Sequence, residues 1–189
     1  MPAQQPGLGT RARWIVRTQL AHLSPARKRT PGVHTRATGF LPFSAPARGA
    51  VGLAFRAARR DGHRFWGPGH LLLGLAAQDE GTAARALDRL GVSRERLRQE
   101  AGQIAAQDGR PAGAAARSRP ASGLIWAALA EAAARCDYAI GTDHLLLALF
   151  GADDQAAAQA LARLGAGESR VRGAVEALRA ESGGERPAS

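Results

Sequence analysis

Gly67-Pro68-Gly69-His70-Leu71-Leu72-Leu73-Gly74-Leu75 and Gly141-Thr142-Asp143-His144-Leu145-Leu146-Leu147-Ala148-Leu149 are two versions of one nine-residue phrase, 74 residues apart, with six positions identical. At the same offset Ala83 to Gly91 lies over Ala157 to Gly165 with seven identities in nine. Pro46 falls on Pro120, Gly49 on Gly123, Arg96 on Arg170 and Arg98 on Arg172, and no insertion is needed. Matches between alanines carry little weight in so Ala-rich a chain. The His-Leu-Leu-Leu and Leu-x-Arg-Leu-Gly matches decide the matter: the chain is a tandem duplication, and its fold is that of one unit given twice.

The periodicity around each phrase is helical. Val51, Phe55 and Ala58 recur on one face of a first helix that ends near Asp61-Gly62, and Ile125, Leu129, Ala132 and Cys136 do so in the second copy. Cys136 is therefore expected to be a buried packing residue. The phrase itself is too apolar all round for a surface helix and is expected at the centre, with Thr142 as cap and Asp143 in the first turn of the second copy. In the first copy Pro68 and Gly69 stand there, and the acid is missing. A third helix ends at Gly91 and again at Gly165, each a glycine just past the last apolar residue. A fourth presents Leu97, Ala101 and Ile104, then Val171, Val175 and Leu178. No segment alternates like a strand. The expected fold is all-α: two four-helix repeats, residues 44–107 and 118–181, packed as a pseudo-twofold eight-helix domain that buries both Leu-rich helices. Residues 108–117 form the linker and 182–189 a disordered tail.

The net charge of +10 is uneven. Residues 1–48 hold eight basic and no acidic groups, so residues 49–189 hold 18 basic and 16 acidic. Residues 1–43, with five prolines, are expected to be a disordered basic leader, with a short amphipathic stretch from Trp14 to Leu23. Its composition is that of a transit peptide without the apolar core of a secretory signal. The single cysteine excludes an internal disulfide framework and fits a reducing, cytoplasmic setting. No apolar run is long enough to span a membrane. No Gly-x-x-x-x-Gly-Lys-(Ser/Thr) occurs in these residues, and the only lysine is Lys28, so they carry no P-loop chemistry.

The doubled Gly-x-x-His-Leu-Leu-Leu-x-Leu phrase with its Gly-ended Ala-Leu-x-x-Leu helix resembles the Clp repeat domain, the N-terminal domain of ClpC- and ClpA-type unfoldases. The family signature is Gly-Thr-Glu-His-(Ile/Leu)-Leu-Leu-Gly-Leu, about 25 residues after a Phe-Thr-x-Arg-Ala opening. Phe43-Ser44-Ala45-Pro46-Ala47 and Arg117-Ser118-Arg119-Pro120-Ala121 stand in the places of that opening. The resemblance implies a free-standing docking platform without the motor. It implies as partners Clp protease components, adaptors, protein substrates including arginine-phosphorylated ones, and cyclic peptides. The family's guanidinium-binding acid falls on Gly69 and Asp143, and its hydroxyl on Ser44 and Ser118. By resemblance, then, the ligand-binding residues are Ser118, Asp143 and Ser44, with one complete site in the second repeat. Gly69→Glu is the change expected to rebuild the other.

The residues themselves ask for no enzyme. His70 and His144, one per repeat and without a second ligand at metal spacing, are structural signature residues that bond backbone near their helix starts; Gly91 and Gly165 are helix stops. His63 is expected at the surface, and Asp79-Glu80 and Asp153-Asp154 as helix caps. No catalytic residue, metal or cofactor is assigned. The reading is a non-catalytic protein-binding module; the alternative is a nucleic-acid-associated protein that grips phosphates with its basic leader.

Overall fold

The computed structural model describes residues 42–108, 122–152 and 155–183. The leader with Trp14 to Leu23, Ser118, most of the linker, Asp153-Asp154 and the end of the tail lie outside the described residues.

Each repeat builds four helices in the expected order. The first holds α1 (Ala45–Arg60), α2 (Pro68–Ala76), α3 (Thr82–Arg89) and α4 (Arg94–Asp108). The second holds α5 (Ser122–Ala134), α6 (Thr142–Ala148), α7 (Ala156–Arg163) and α8 (Glu168–Gly183). Local chemistry sets the ends. Ser44 caps α1, its Oγ accepting from Ala47 N at 3.3 Å, with Pro46 in the first turn, where its missing N–H leaves no bond unmade. Gly91 and Gly165 take φ of 73° and 82°, the left-handed turn that stops α3 and α7.

The arrangement across the repeats is reciprocal. The fourth helix of each copy packs on the third helix of the other, α4 on α7 and α8 on α3. The second helix of each likewise meets the other's third, α2 with α7 and α6 with α3. This exchange is the pseudo-twofold relation, and the Leu-rich α2 and α6 meet at its centre. Leu71, Leu72, Leu145, Leu146, Leu147 and Leu149 are fully buried there. Arg89 reaches Glu181 at 2.6 Å and Arg163 reaches Glu100 at 2.7 Å, two exposed ion pairs across the repeats that fix register more than they stabilise. Among the described residues the β-structure is one bridge between Phe43 and Ile140, where Ser44 N donates to Ile140 O at 3.0 Å.

Four details depart from the sequence expectation. Helix α4 runs through Asp108, and α8 runs through Gly183, past the expected repeat ends. Thr142 is not the cap of its own helix: Gly141 is, and the Thr142 hydroxyl accepts from Ala83 N at 3.1 Å, capping α3 of the other repeat. Asp79 and Glu80 precede Gly81, which is the N-cap of α3, and Asp79 pairs with Arg94. Cys136 is exposed, not buried. Helix α5 stops two residues before it, and Cys136 takes φ of 55° in the closing turn, where the first repeat has Gly62 at φ 74°. The apolar period runs one turn beyond the helix, over a left-handed residue that no side-chain pattern announces.

Candidate functional site

The two signature histidines are held alike. Both are buried, 0% and 1% exposed. His70 Nδ1 lies 3.2 Å from Gly67 N, and His144 Nδ1 lies 2.9 Å from Gly141 N, each at the start of its own helix. The Nε2 atoms face equivalent positions of the preceding turn: His63 Nδ1 at 3.1 Å in the first repeat, Asp137 Oδ2 at 2.9 Å in the second. His63 is thus half-buried and stacked edge-on against His70, not a surface residue.

What surrounds the histidines differs. In the first repeat Asp108 reaches back from the end of α4. Its Oδ2 accepts from Gly69 N at 2.9 Å and His70 N at 3.2 Å, and stands 2.9 Å from His70 Nδ1. The acid missing from the first turn of α2 is supplied by another helix, where it faces the positive end of the helix. Gly69 is what lets α4 in: a Cβ there would lie 2.7 Å from Ile104 C and 2.8 Å from Ala105 Cα, and nearer still to Ala105 N. A Gly69→Glu side chain has no room, so the first repeat is closed at this point by backbone.

In the second repeat the position of Gly69 is Asp143 and that of Ala105 is Arg179. Asp143 is 3% exposed, and its Oδ2 accepts from both Nε (3.1 Å) and Nη2 of Arg179. The same Nη2 is 2.7 Å from Asp137 Oδ2. Helix α8 accordingly touches α6 only lightly, whereas α4 packs closely along α2. Burial draws the Arg179 guanidinium down, but its bonds to Asp137 and Asp143 outweigh that and hold it charged. Burial pushes His144 below its ordinary value against the pull of Asp143, and Arg179 adds to the downward push. Nδ1 accepts from Gly141 N, and Nε2 lies 2.9 Å from both Asp137 Oδ2 and Arg179 Nη2. Burial raises Asp137, yet Arg179 and His144 together leave it below the usual carboxylate range.

Above this network lies an open cleft of about 550 Å³ between α3, the turn before α6, and α8. Arg85, Tyr138, Asp143 and Arg179 line it. Tyr138 is 92% exposed. Of the residues assigned by resemblance, Asp143 is at this cleft, its guanidinium partner supplied by the chain's own Arg179. Ser44 is used as the α1 cap, and Ser118 lies outside the described residues. Arg179, Asp137, Arg85 and Tyr138 were not singled out from sequence. The 74-residue offset held the signal for the first of these, since Gly69 with Ala105 in one copy answers to Asp143 with Arg179 in the other. Among the described residues no group of three or more His, Cys, Asp or Glu is placed to hold a metal ion, and no helix is long and apolar enough to cross a membrane.

Comparison with known proteins agrees with this architecture. The chloroplastic "ATP-dependent Clp protease ATP-binding subunit ClpA homolog CD4B" of Solanum lycopersicum is 35% identical over 147 residues, 76% of this chain and 16% of that protein. The "negative regulator of genetic competence ClpC/MecB" of Bacillus subtilis is 31% identical over 133 residues, 70% of this chain and 16% of its own length. The chain thus spans about a sixth of the curated relatives it matches. The N-terminal domain of the caseinolytic-protease-associated chaperone ClpD from Arabidopsis thaliana superposes with a TM-score of 0.54 at 24% identity, covering 72% of this chain and 93% of that one. A chain from a malarial protein secretion system does so at 0.58 and 14%, with the same coverage, and at such identities the likeness concerns the fold alone. The description "Clp repeat (R) N-terminal domain" matches residues 42–164, and with both signatures, the reciprocal packing and these relatives in place, the chain belongs to the Clp repeat N-terminal domain family.

Proposed function

We propose that the chain is a non-catalytic docking module that binds protein substrates or adaptors of the Clp protease machinery and so modulates Clp-dependent proteolysis. The observation that carries this reading is the asymmetry of the two signatures. One is sealed by helix packing, and the other floors an open cleft lined by Tyr and Arg, residue types enriched where proteins bind one another. The relatives that contain this domain are ATP-binding subunits and chaperones, while these 189 residues include no P-loop. Asp143 enters the proposal as the floor of the cleft, and arginine-phosphorylated or cyclic peptide ligands would meet Arg179 before they met that carboxylate. The nucleic-acid alternative rests on the leader, outside the described residues.

The test is a degradation assay with a ClpC-type unfoldase, its peptidase and an adaptor-dependent substrate, with the purified full chain added in excess. The expected result is a concentration-dependent change in substrate turnover, with no ATP hydrolysis by the chain alone. Turnover unchanged at saturating chain, or ATPase activity in a clean preparation, rejects the reading.

A further inference from the structure

The charged groups of the cleft divide into those already engaged and those left over. Each carboxylate has a cation beside its Oδ2, although Asp137 Oδ2 completes no hydrogen bond among the described residues. Asp143 is bonded by Arg179 through Nε and Nη2, and Asp137 is paired with the same Nη2 and with His144. His144 already accepts at Nδ1 from Gly141 N. The charged side chain of the cleft left without an ion partner among the described residues is a cation. Arg179 Nη1 has no partner among the described residues, and Arg85 on the α3 wall is exposed with no hydrogen bond or ion pair among them. Tyr138 stands at the mouth with its ring in solvent.

A cationic ligand entering here meets two guanidiniums, and the acids it would need are held by one of them. A ligand that brings acceptors meets the opposite situation. The planar fork of arginine is matched by a carboxylate, which takes parallel N–H bonds from it, and the flanking ring of Tyr138 suits an apolar side chain next to the acid. We propose that this cleft binds an acidic segment of a polypeptide, a carboxylate lying between Arg85 and Arg179 and a neighbouring apolar side chain on Tyr138. This rests on the docking reading above and names its ligand class: the buried Asp143 serves to position Arg179, not to receive a guanidinium from outside.

The probe is a fluorescein-labelled eight-residue peptide of Glu, Leu and Gly, titrated with the full chain and read by anisotropy, beside peptides with each Glu replaced by Gln or by Arg. Because the chain carries a net charge of +10, site binding has to be separated from general attraction. Arg85→Gln removes one charge from the cleft wall, and Arg56→Gln removes one from the exposed face of α1. Neither side chain has a partner among the described residues, so both variants are expected to melt like the parent. The expected result is at least tenfold tighter binding of the Glu peptide than of the Gln peptide and none of the Arg peptide. Arg85→Gln and Tyr138→Ala should each weaken the Glu peptide about tenfold, and Arg56→Gln less than twofold. Equal losses in Arg85→Gln and Arg56→Gln, equal binding of the Glu and Gln peptides, or preference for the Arg peptide overturns the proposal. If the chain still alters Clp-dependent degradation while the Glu peptide fails to bind, the docking reading stands and this seat for it is wrong.

Discussion

Gly69→Ala tests the claim that the first repeat is closed by helix backbone. The added Cβ would sit 2.7 Å from Ile104 C and 2.8 Å from Ala105 Cα, against an ordinary contact of 3.4 Å or more. These are backbone atoms of α4 and have no rotamer to escape into. Relief requires α4 to withdraw from α2 by roughly an ångström, which also stretches the bonds from Gly69 N and His70 N to Asp108. Overpacking of this kind costs about 1–3 kcal/mol. The better helix propensity of Ala returns up to about 1 kcal/mol, less in a first turn. The net expectation is a loss of about 1–2 kcal/mol, or a midpoint about 3–6 °C lower at this chain length. Gly102→Ala is the control: it makes the same substitution in α4, where the new Cβ meets nothing within 4 Å, and should gain about 0.5–1 kcal/mol. Urea unfolding of parent and both variants at pH 7 gives the comparison. If the two substitutions shift the midpoint in the same direction, the close approach of α4 is not what Gly69 provides. Gly69→Glu should be worse than Gly69→Ala, since it adds a second carboxylate beside the buried Asp108 with no cation to meet it.

Three other outcomes follow from single contacts. Cys136→Gly relieves a left-handed residue and should stabilise the chain by about 1 kcal/mol in the same unfolding assay; a loss would mean that the thiol makes a contact worth more than the strain. Thr142→Val keeps the shape but leaves Ala83 N without its acceptor, which should cost about 1–2 kcal/mol and speed amide exchange at the start of α3, an effect absent if the bond contributes nothing. Glu131 accepts from Arg172 at 2.7 and 3.0 Å and from Arg135 at 2.7 Å; the Arg172 bonds, against a smaller upward push from burial, bring its carboxyl down to about 2. A depressed carboxylate stabilises fully above its unperturbed value of 4.5 and loses that contribution as pH falls through about 2, so Glu131→Gln should cost about 1–2 kcal/mol at pH 7 and almost nothing below pH 2. A cost independent of pH would show that packing, not charge, is what the substitution removes.

The fold was legible because the duplication makes each pattern appear twice. The stop at Gly91 is read with more force when Gly165 repeats it, and the fully apolar phrase names its own place at the centre. What stayed hidden were partners from distant sequence. Asp108, placed in the linker by its Gly- and Pro-rich neighbours, is the acid at the start of α2, 38 residues away from His70. Thr142 fits the pattern of a local cap and in fact caps a helix of the other repeat, 59 residues off. Helical periodicity reports which face of an element is apolar. It does not report which polar end of another element will be brought to it.

The site is asymmetric because each copy brings an acid to the start of its signature helix in a different way, and the two ways cannot be mixed. In the first, Gly69 and Ala105 are small, α4 lies against α2, and that closeness is what lets Asp108 reach the first-turn N–H groups. In the second, Asp143 supplies the acid from within the helix. A buried carboxylate needs a cation, so Arg179 takes the place of Ala105, and its bulk holds α8 off α6. Ser182, at the position of Asp108, turns instead to Leu178 O at 2.9 Å. Space left by that separation is the cleft, and the arginine that neutralises Asp143 lines it. The proposed ligand site is thus a by-product of how one repeat solved a burial problem that the other solved by packing. The same solution fixes its chemistry: the carboxylate lies beneath, and the guanidinium faces whatever enters.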